Sequence, residues 1–383
     1  MAVLMRRAAA IVGAALGLAA GCFQADFLAG LPCDGDGDCG DLKCEDGFCG
    51  GKMFGTGSST TDMPDSTSST SDATIDPDTS ATIDPDTSAG SESDSGTSCP
   101  PDCPCVVPPH QPCDADVNSI VLALGLSCPG EAPVTTEQSG SVAGQTTRDV
   151  VGGFTAREGD RFAVLGSGLV GELESETPDF DLPEAPTFCN DDQGSFDPLT
   201  LPAPMTAEAA PEACDDPDVV GMQLDCSGTL AEEIVGEIQD YSSFTIVATV
   251  PEGIRSFSFD FAFSSVEYPA FVGASFNDLF VAWLQSEAWT GNVSFAGGDA
   301  ISVNSSLLVL TDPGFTEPMF AGTCMRGHAS TGWLTTTAPV VAGEQMLLVF
   351  GVFDQVDSAS DSFVFLDAFE WNCSGVPAPE THS

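Results

Sequence analysis

Carboxylates are the side chains of this sequence best placed to do chemistry. Asp354, Asp357 and Asp361 fall in Phe353-Asp-Gln-Val-Asp-Ser-Ala-Ser-Asp-Ser362, between two apolar runs. Acids crowded into so short a stretch repel one another unless water or a cation bridges them, and Ca²⁺ accepts roughly six to eight oxygens in a flexible geometry. The spacing therefore predicts a calcium loop. Glu267 in Glu-Tyr-Pro, and Asn277 with Asp278 in Phe-Asn-Asp, are expected to add oxygens from a second loop. The structural alternative is that Asp354 and Asp361 cap turns while Glu267 accepts backbone amides. A further run, Asp34-Gly-Asp-Gly-Asp38, opens like a calcium loop but is interrupted by cysteines.

Other chemistry is thinly provided. The histidines are His110, His328 and His382, and no G-x-S-x-G elbow accompanies them. Neither H-E-x-x-H nor a phosphate-cradling glycine loop after a strand occurs. No catalytic residue is assigned, and the chain is expected not to be an enzyme. A carboxylate-based hydrolase stays open as an alternative, and it would need two acids about 5–9.5 Å apart across a cleft. Tyr268 and Trp283 are expected to pack in or beside the core and Trp289 to be exposed. In a calcium-dependent, lectin-like alternative these rings would stack on sugars.

Charge and cysteines set the compartment. The 383 residues carry 58 Asp and Glu against 9 Lys and Arg, a formal net charge of −49. Such a chain repels nucleic acid and anionic lipid and attracts cations. With 42 % hydrophobic residues it can still build a core. Residues 1–21 read as a lipoprotein signal peptide: Arg6-Arg7, then an apolar stretch from Ala8 to Ala20 too short to span a bilayer. It ends in Leu18-Ala-Ala-Gly-Cys22, which resembles the bacterial lipobox. Cys22 is the expected lipidation site, and the lipid is the expected contact with the membrane. The expected location is the outer membrane or cell surface of a Gram-negative bacterium.

The cysteines after Cys22 are even in number and suit complete disulfide pairing after export. Cys33, Cys39, Cys44 and Cys49 lie in a Gly/Asp-rich, anchor-proximal segment, 22–50. Residues 51–98, with a tandem ATIDPDTS, read as a disordered Ser/Thr/Asp linker. Cys99, Cys103, Cys105 and Cys113 fall in a Pro-rich connector, 99–114. Cys128, Cys189, Cys214, Cys226, Cys324 and Cys373 belong to the globular domain expected at 115–375, and 376–383 is read as a tail.

The elements that must position the acids are strands. Phe257, Phe259, Phe261 and Phe263 alternate with Ser258, Asp260 and Ala262, the period of a strand with one buried face. Further strands are predicted at 244–250, 279–284, 307–310, 332–337, 346–353 and 362–371, separated by Gly, Asp, Asn and Pro. The fold class is all-β, an antiparallel β-sandwich or jelly-roll-like domain with a few short helices. Short helices are expected within 117–126 and 145–154, and Thr229-Leu-Ala-Glu232 resembles a capping box, with the stretch after it equally able to lead into a strand. Residues 172–227 are read as a disulfide-stapled surface excursion.

These residues resemble a known family. FSFDFAFSSVEYPAFVGASFNDLFVAWL (257–284), GNVSFAGGDAISVN (291–304) and the closing stretch 331–371 are similar to the choice-of-anchor L domain. GQTTRDVVGGFTAREGDRFAVLGSGL (144–169) is similar to that family's N-terminal half, so the resemblance covers roughly 115–373. It implies an extracellular body that reaches the surface through a separate anchor, here the lipobox, and says little about chemistry. The expectation is a non-enzymatic surface lipoprotein for adhesion, recognition or envelope structure, stiffened by Ca²⁺, with a glycan or protein as its partner.

Overall fold

The computed structural model describes residues 105–383 apart from 116, 141, 176–187, 190–195 and 211–223, together with the backbone of 44–45 and 48–49. Two compact units divide the chain, 1–59 and 60–383. In the first, β1 (Cys44–Glu45) pairs with β2 (Phe48–Cys49). The second opens with α1 (Ile120–Ala123), β3 (Thr135–Ser139), β4 (Gln145–Arg148), β5 (Val150–Val151), β6 (Phe154–Thr155) and β7 (Phe162–Gly166). It continues through α2 (Leu230–Glu233), β8 (Ile238–Thr249), β9 (Ser256–Ser265), β10 (Leu279–Gln285), β11 (Thr290–Asn292), β12 (Phe295–Ala296) and β13 (Asp299–Ser302). The last strands are β14 (Leu310–Thr311), β15 (Ala329–Ser330), β16 (Leu334–Pro339), β17 (Gln345–Gln355), β18 (Ser362–Asn372) and β19 (Glu380–His382).

Two antiparallel sheets make a sandwich, as the alternating patterns predict. One runs β12-β13-β10-β17-β8-β3 with β11 beside β10. The other runs β14-β15-β9-β18-β7-β4, with β16 bridging β9 and β19. The long strands β8, β9 and β10 alternate between sheets, as do β16, β17 and β18. This is the crossing pattern of a jelly-roll-like body.

Phenylalanine fills the space between the sheets. Phe257, Phe259, Phe261 and Phe263 of β9 meet Phe280 of β10, Phe350 of β17 and Phe369 of β18 in one buried cluster. Phe259 lies edge-on to Phe350 at 4.9 Å, and Phe257 stacks on Phe369 at 5.2 Å. Each such ring contributes roughly 1.5–3 kcal/mol of transfer free energy. The outer faces are buried as well. Leu279, Val281 and Trp283 of β10 lie under Met205, Leu230 and Tyr241. Phe363 and Phe365 of β18 pack with Phe154, Phe162 and Met325. That double covering explains why β10 reads Leu-Phe-Val-Ala-Trp-Leu without polar alternation.

Five local expectations differ. Residues 145–154 form strand rather than helix, because Gln145–Arg148 pairs along β7. The predicted strand at 307–310 shrinks to Leu310–Thr311, and Trp289 is partly buried against the core instead of exposed. Thr229 precedes α2 without a side-chain cap; the Leu230 amide donates instead to Asp225 Oδ2 at 3.2 Å. The C-terminal residues are not loose, since Thr335–Thr337 pairs with Glu380–His382.

Disulfides staple the loops. Cys105–Cys373, Cys113–Cys128 and Cys189–Cys324 are formed, and Cys226 is disulfide-bonded as well. The first two tie the Pro-rich connector to the sandwich. Cys22, Cys33, Cys39, Cys99, Cys103 and Cys214 lie outside the described residues, and Cys44 and Cys49 are described in backbone only. Among the described residues no helix is long and apolar enough to cross a membrane.

Candidate functional site

Strand parity, with one residue that adjoins a strand, carries four acids to one end of the sandwich. On β9, Phe263 faces inward, so Ser265 and then Glu267 continue that face beyond the strand. On β10, Phe280 faces inward and Asp278 lies two residues before it. On β17, Phe350 and Val352 face inward and Asp354 follows. On β18, Val364 faces inward, which puts Ser362 on the same side, with Asp361 just ahead of it. Register aligns these ends: Leu279 pairs with Phe353, and Ser362 with Ser265. The period that buries the phenylalanines therefore also turns Glu267, Asp278 and Asp354 inward, while Asp361, of the opposite parity, is buried against Gly168.

Burial is nearly complete. Glu267, Asp278 and Asp361 are each 1 % exposed and Asp354 is 0 % exposed. The Asp278 backbone amide donates to Glu267 Oε2 at 3.1 Å, and the Ser362 hydroxyl donates to Asp278 Oδ2 at 2.6 Å. Asp278 Oδ1 and both carboxylate oxygens of Asp354 have no hydrogen-bond partner. The Ser167 hydroxyl donates to the Ser362 carbonyl at 3.4 Å and lies near enough to Asp354 to favour its charged form, though by less than burial opposes it. Among the described residues no Lys, Arg or His pairs with Glu267, Asp278 or Asp354. Asp361 sits directly over Gly168: a Cβ built there would lie 1.8 Å from Asp361 Oδ2. The glycine thus makes the space that this carboxylate fills.

Proton affinities follow from this crowding. Burial, against the opposing Asp278 amide and with Asp357 nearby, pushes the Glu267 carboxyl up to about 7. Burial and then Glu267 raise Asp278 well above the usual carboxylate range. Burial, Asp278 and Asp361 do the same to Asp354. Isolated buried carboxylates are costly, and the two ways to relieve them are a shared proton or a bound cation.

The acids form an extended row. Among the described residues, the one grouping of three His, Cys, Asp or Glu ligand atoms all within 4.8 Å of one another is His110, Cys128 and Glu131. That grouping is not a metal site, because the Cys128 sulfur is bonded to Cys113. Among the described residues no three of the four acids bring one carboxylate oxygen each within 4.8 Å of one another, so an ion shared by three of them requires the carboxylates to draw together around it. The chemistry of the donors, all oxygen, is that of a hard cation.

The expected ligands separate into two sets. Glu267, Asp278, Asp354 and Asp361 come together. Asp354 belongs to β17 and not to the loop where the spacing placed it. Asp357 is half-buried at the rim, where its Oδ1 accepts the Ala359 amide at 3.3 Å, a turn cap. Asn277 is tied to Glu233, whose Oε2 accepts from its Nδ2 at 2.5 Å, while its buried Oδ1 has no hydrogen-bond partner. Sequence spacing missed Ser362 and Gly168, although extending the strand parity past each strand end finds Ser362. Trp283 is fully buried under the excursion, and Tyr268 packs against the core. His328 is partly buried, with Nδ1 2.7 Å from the Tyr268 carbonyl, and burial lowers its proton affinity.

Residues 243–372 match the family model of the choice-of-anchor L domain. The match runs from within β8 to the end of β18 and includes all four acids of the row, but not residues 144–169, which the resemblance had included. Those upstream residues supply β4 and β7, which extend one sheet. No curated protein and no solved structure matches the chain.

Proposed function

We propose, from the choice-of-anchor L domain that residues 243–372 of this chain carry, that it is a non-enzymatic, surface-displayed module whose loop end is clamped by Ca²⁺. A choice-of-anchor domain belongs to surface-associated or exported proteins. The disulfides Cys105–Cys373, Cys113–Cys128 and Cys189–Cys324 fit that setting, since such bonds persist in oxidising compartments. In this reading Cys22 carries the lipid, residues 51–98 give reach, and the sandwich performs adhesion, recognition or an envelope structural role.

The observation that carries the calcium part is Asp354: a fully buried carboxylate, both oxygens without a hydrogen-bond partner, flanked by Asp278 and Asp361. Glu267, Asp278, Asp354 and Asp361 would hold the ion and the Ser362 hydroxyl would orient Asp278. The ion would replace the protons that otherwise neutralise the row and lock the ends of β9, β10, β17 and β18 together. Burial also supports reading these acids as ligands instead of a hydrolytic pair, because no sugar reaches carboxylates 0–1 % exposed.

The test has two arms. Calcium titrated calorimetrically into the full oxidised chain should bind with one site per chain, and absence of binding heat and of any melting shift removes the clamp. In cells, Cys22→Ser should move the protein out of the membrane fraction; unchanged fractionation removes the lipid anchor.

A further inference from the structure

The opposite end of the sandwich holds a different feature, independent of the calcium reading. A cavity of about 580 Å³ opens between the end of β8, the turn before β17, the end of β18 and the connector that Cys105–Cys373 ties down. Its size falls within the range of small-molecule sites, roughly 300–1,000 Å³. Val107, Leu126, Val134, Val250, Phe369 and Trp371 give it apolar walls. Val107 stays 47 % exposed at its edge. Trp371 is held edge-on to Phe369, with ring centres 5.0 Å apart.

Three of the six polar side chains on this wall are acids. Glu131, Glu252 and Glu370 line the cavity, and His110 is its one basic group. His110 already has acidic neighbours: Nδ1 bonds Glu131 and Nε2 lies 2.8 Å from Glu158 Oε1. Gly125 makes room for this arrangement, since a Cβ there would come 2.8 Å from Glu158 Oε2 and 3.4 Å from the His110 ring. Three lining carboxylates against one imidazole leave the cavity net negative, within a chain of net charge −49. An anion is repelled. A sugar, which needs many hydrogen-bonding groups, meets apolar walls.

We propose that this cavity is a binding site for a small organic cation with an apolar body, an aryl- or alkylammonium compound. Its apolar part would occupy the Val134, Val250 and Phe369 wall. Its ammonium would lie near Trp371, which offers a ring quadrupole, and near Glu252 and Glu370 at the mouth. The full oxidised chain is titrated with phenyltrimethylammonium, benzyl alcohol and benzenesulfonate. The expected result is one-to-one binding of the cation, with both other probes at least about tenfold weaker, equivalent to about 1.4 kcal/mol. The exposed pair Glu252→Gln and Glu370→Gln together should weaken the cation about tenfold or more. Ala132→Trp, at an exposed lining position, should block binding with the melting temperature unchanged. No measurable binding of the cation overturns the proposal. So does equal binding of the neutral or anionic probe, or an unchanged affinity in the double glutamine variant.

Discussion

Replacing Asp354 by Asn tests the clamp with opposite signs in one protein. Asn keeps the shape of the side chain and removes its charge from a site that is 0 % exposed. For the wild type, a single ion at a hundredfold excess over Kd stabilises by about 2.7 kcal/mol. For a domain of this size that is a rise of about 5 °C in Tm. Without calcium at pH 8 each carboxyl of the row either keeps a proton that the unfolded chain has released or holds unneutralised charge, and both oppose folding. Glu267 illustrates the cost: burial lifts it from 4.5 to about 7, and at about 1.4 kcal/mol per tenfold in proton affinity its ionisation opposes folding by about 3 kcal/mol. Asp354 is as deep and has Asp278 and Asp361 beside it. The Asn variant should therefore melt several degrees above wild type in chelator and lose most of the calcium shift. Differential scanning calorimetry of both full oxidised chains, with calcium and with chelator, reads both effects. A variant that melts below wild type in chelator, or keeps the full shift, refutes the account of Asp354 as an uncompensated ligand. Asp357→Asn, at the half-buried turn cap, should leave the calcium shift nearly intact.

The remaining predictions use the same material. In chelator, the contribution of Glu267 is present below about pH 4.5 and lost as pH rises through about 7, so Tm should fall between pH 5 and 8. Calcium should flatten that fall without abolishing it, because Asp367 and Glu344, outside the row, are also pushed up to about 7 by burial. Gly168→Ala puts a Cβ 1.8 Å from Asp361 Oδ2 and should cost roughly 2–4 kcal/mol by urea denaturation and weaken calcium binding, whereas Gly171→Ala, with nothing within 4 Å, should do neither. Replacing Cys105 and Cys373 by Ser opens a link between residues 268 apart in sequence and should cost about 2–5 kcal/mol, read in the same assay.

Much of the framework was legible because strands bury alternate residues. The Phe257 to Phe263 alternation predicted β9 and its buried face, and β10, β17 and β18 fell where their apolar runs lay. The stretch 145–154 misled because its apolar spacing carries no sign of the partner strand β7. Among the acids, closeness in sequence was a poor guide. Asp357 lies between Asp354 and Asp361 in the chain yet caps a turn, while Glu267 and Asp278, weighted less, are inside the row.

What the sequence by itself determined is the strand rhythm, the acidity, the cysteine-rich character and the supply of candidate oxygens, all of which depend on local order and composition. Tertiary structure decided which oxygens meet, that Gly168 leaves space for Asp361, and that Trp283 is roofed by the excursion. It also decided that the connector closes over a cavity at the opposite end. The physical reason is register: pairing Leu279 with Phe353 and Ser362 with Ser265 brings together residues dozens of positions apart, and it is selected by burial across two whole sheets rather than by any short motif.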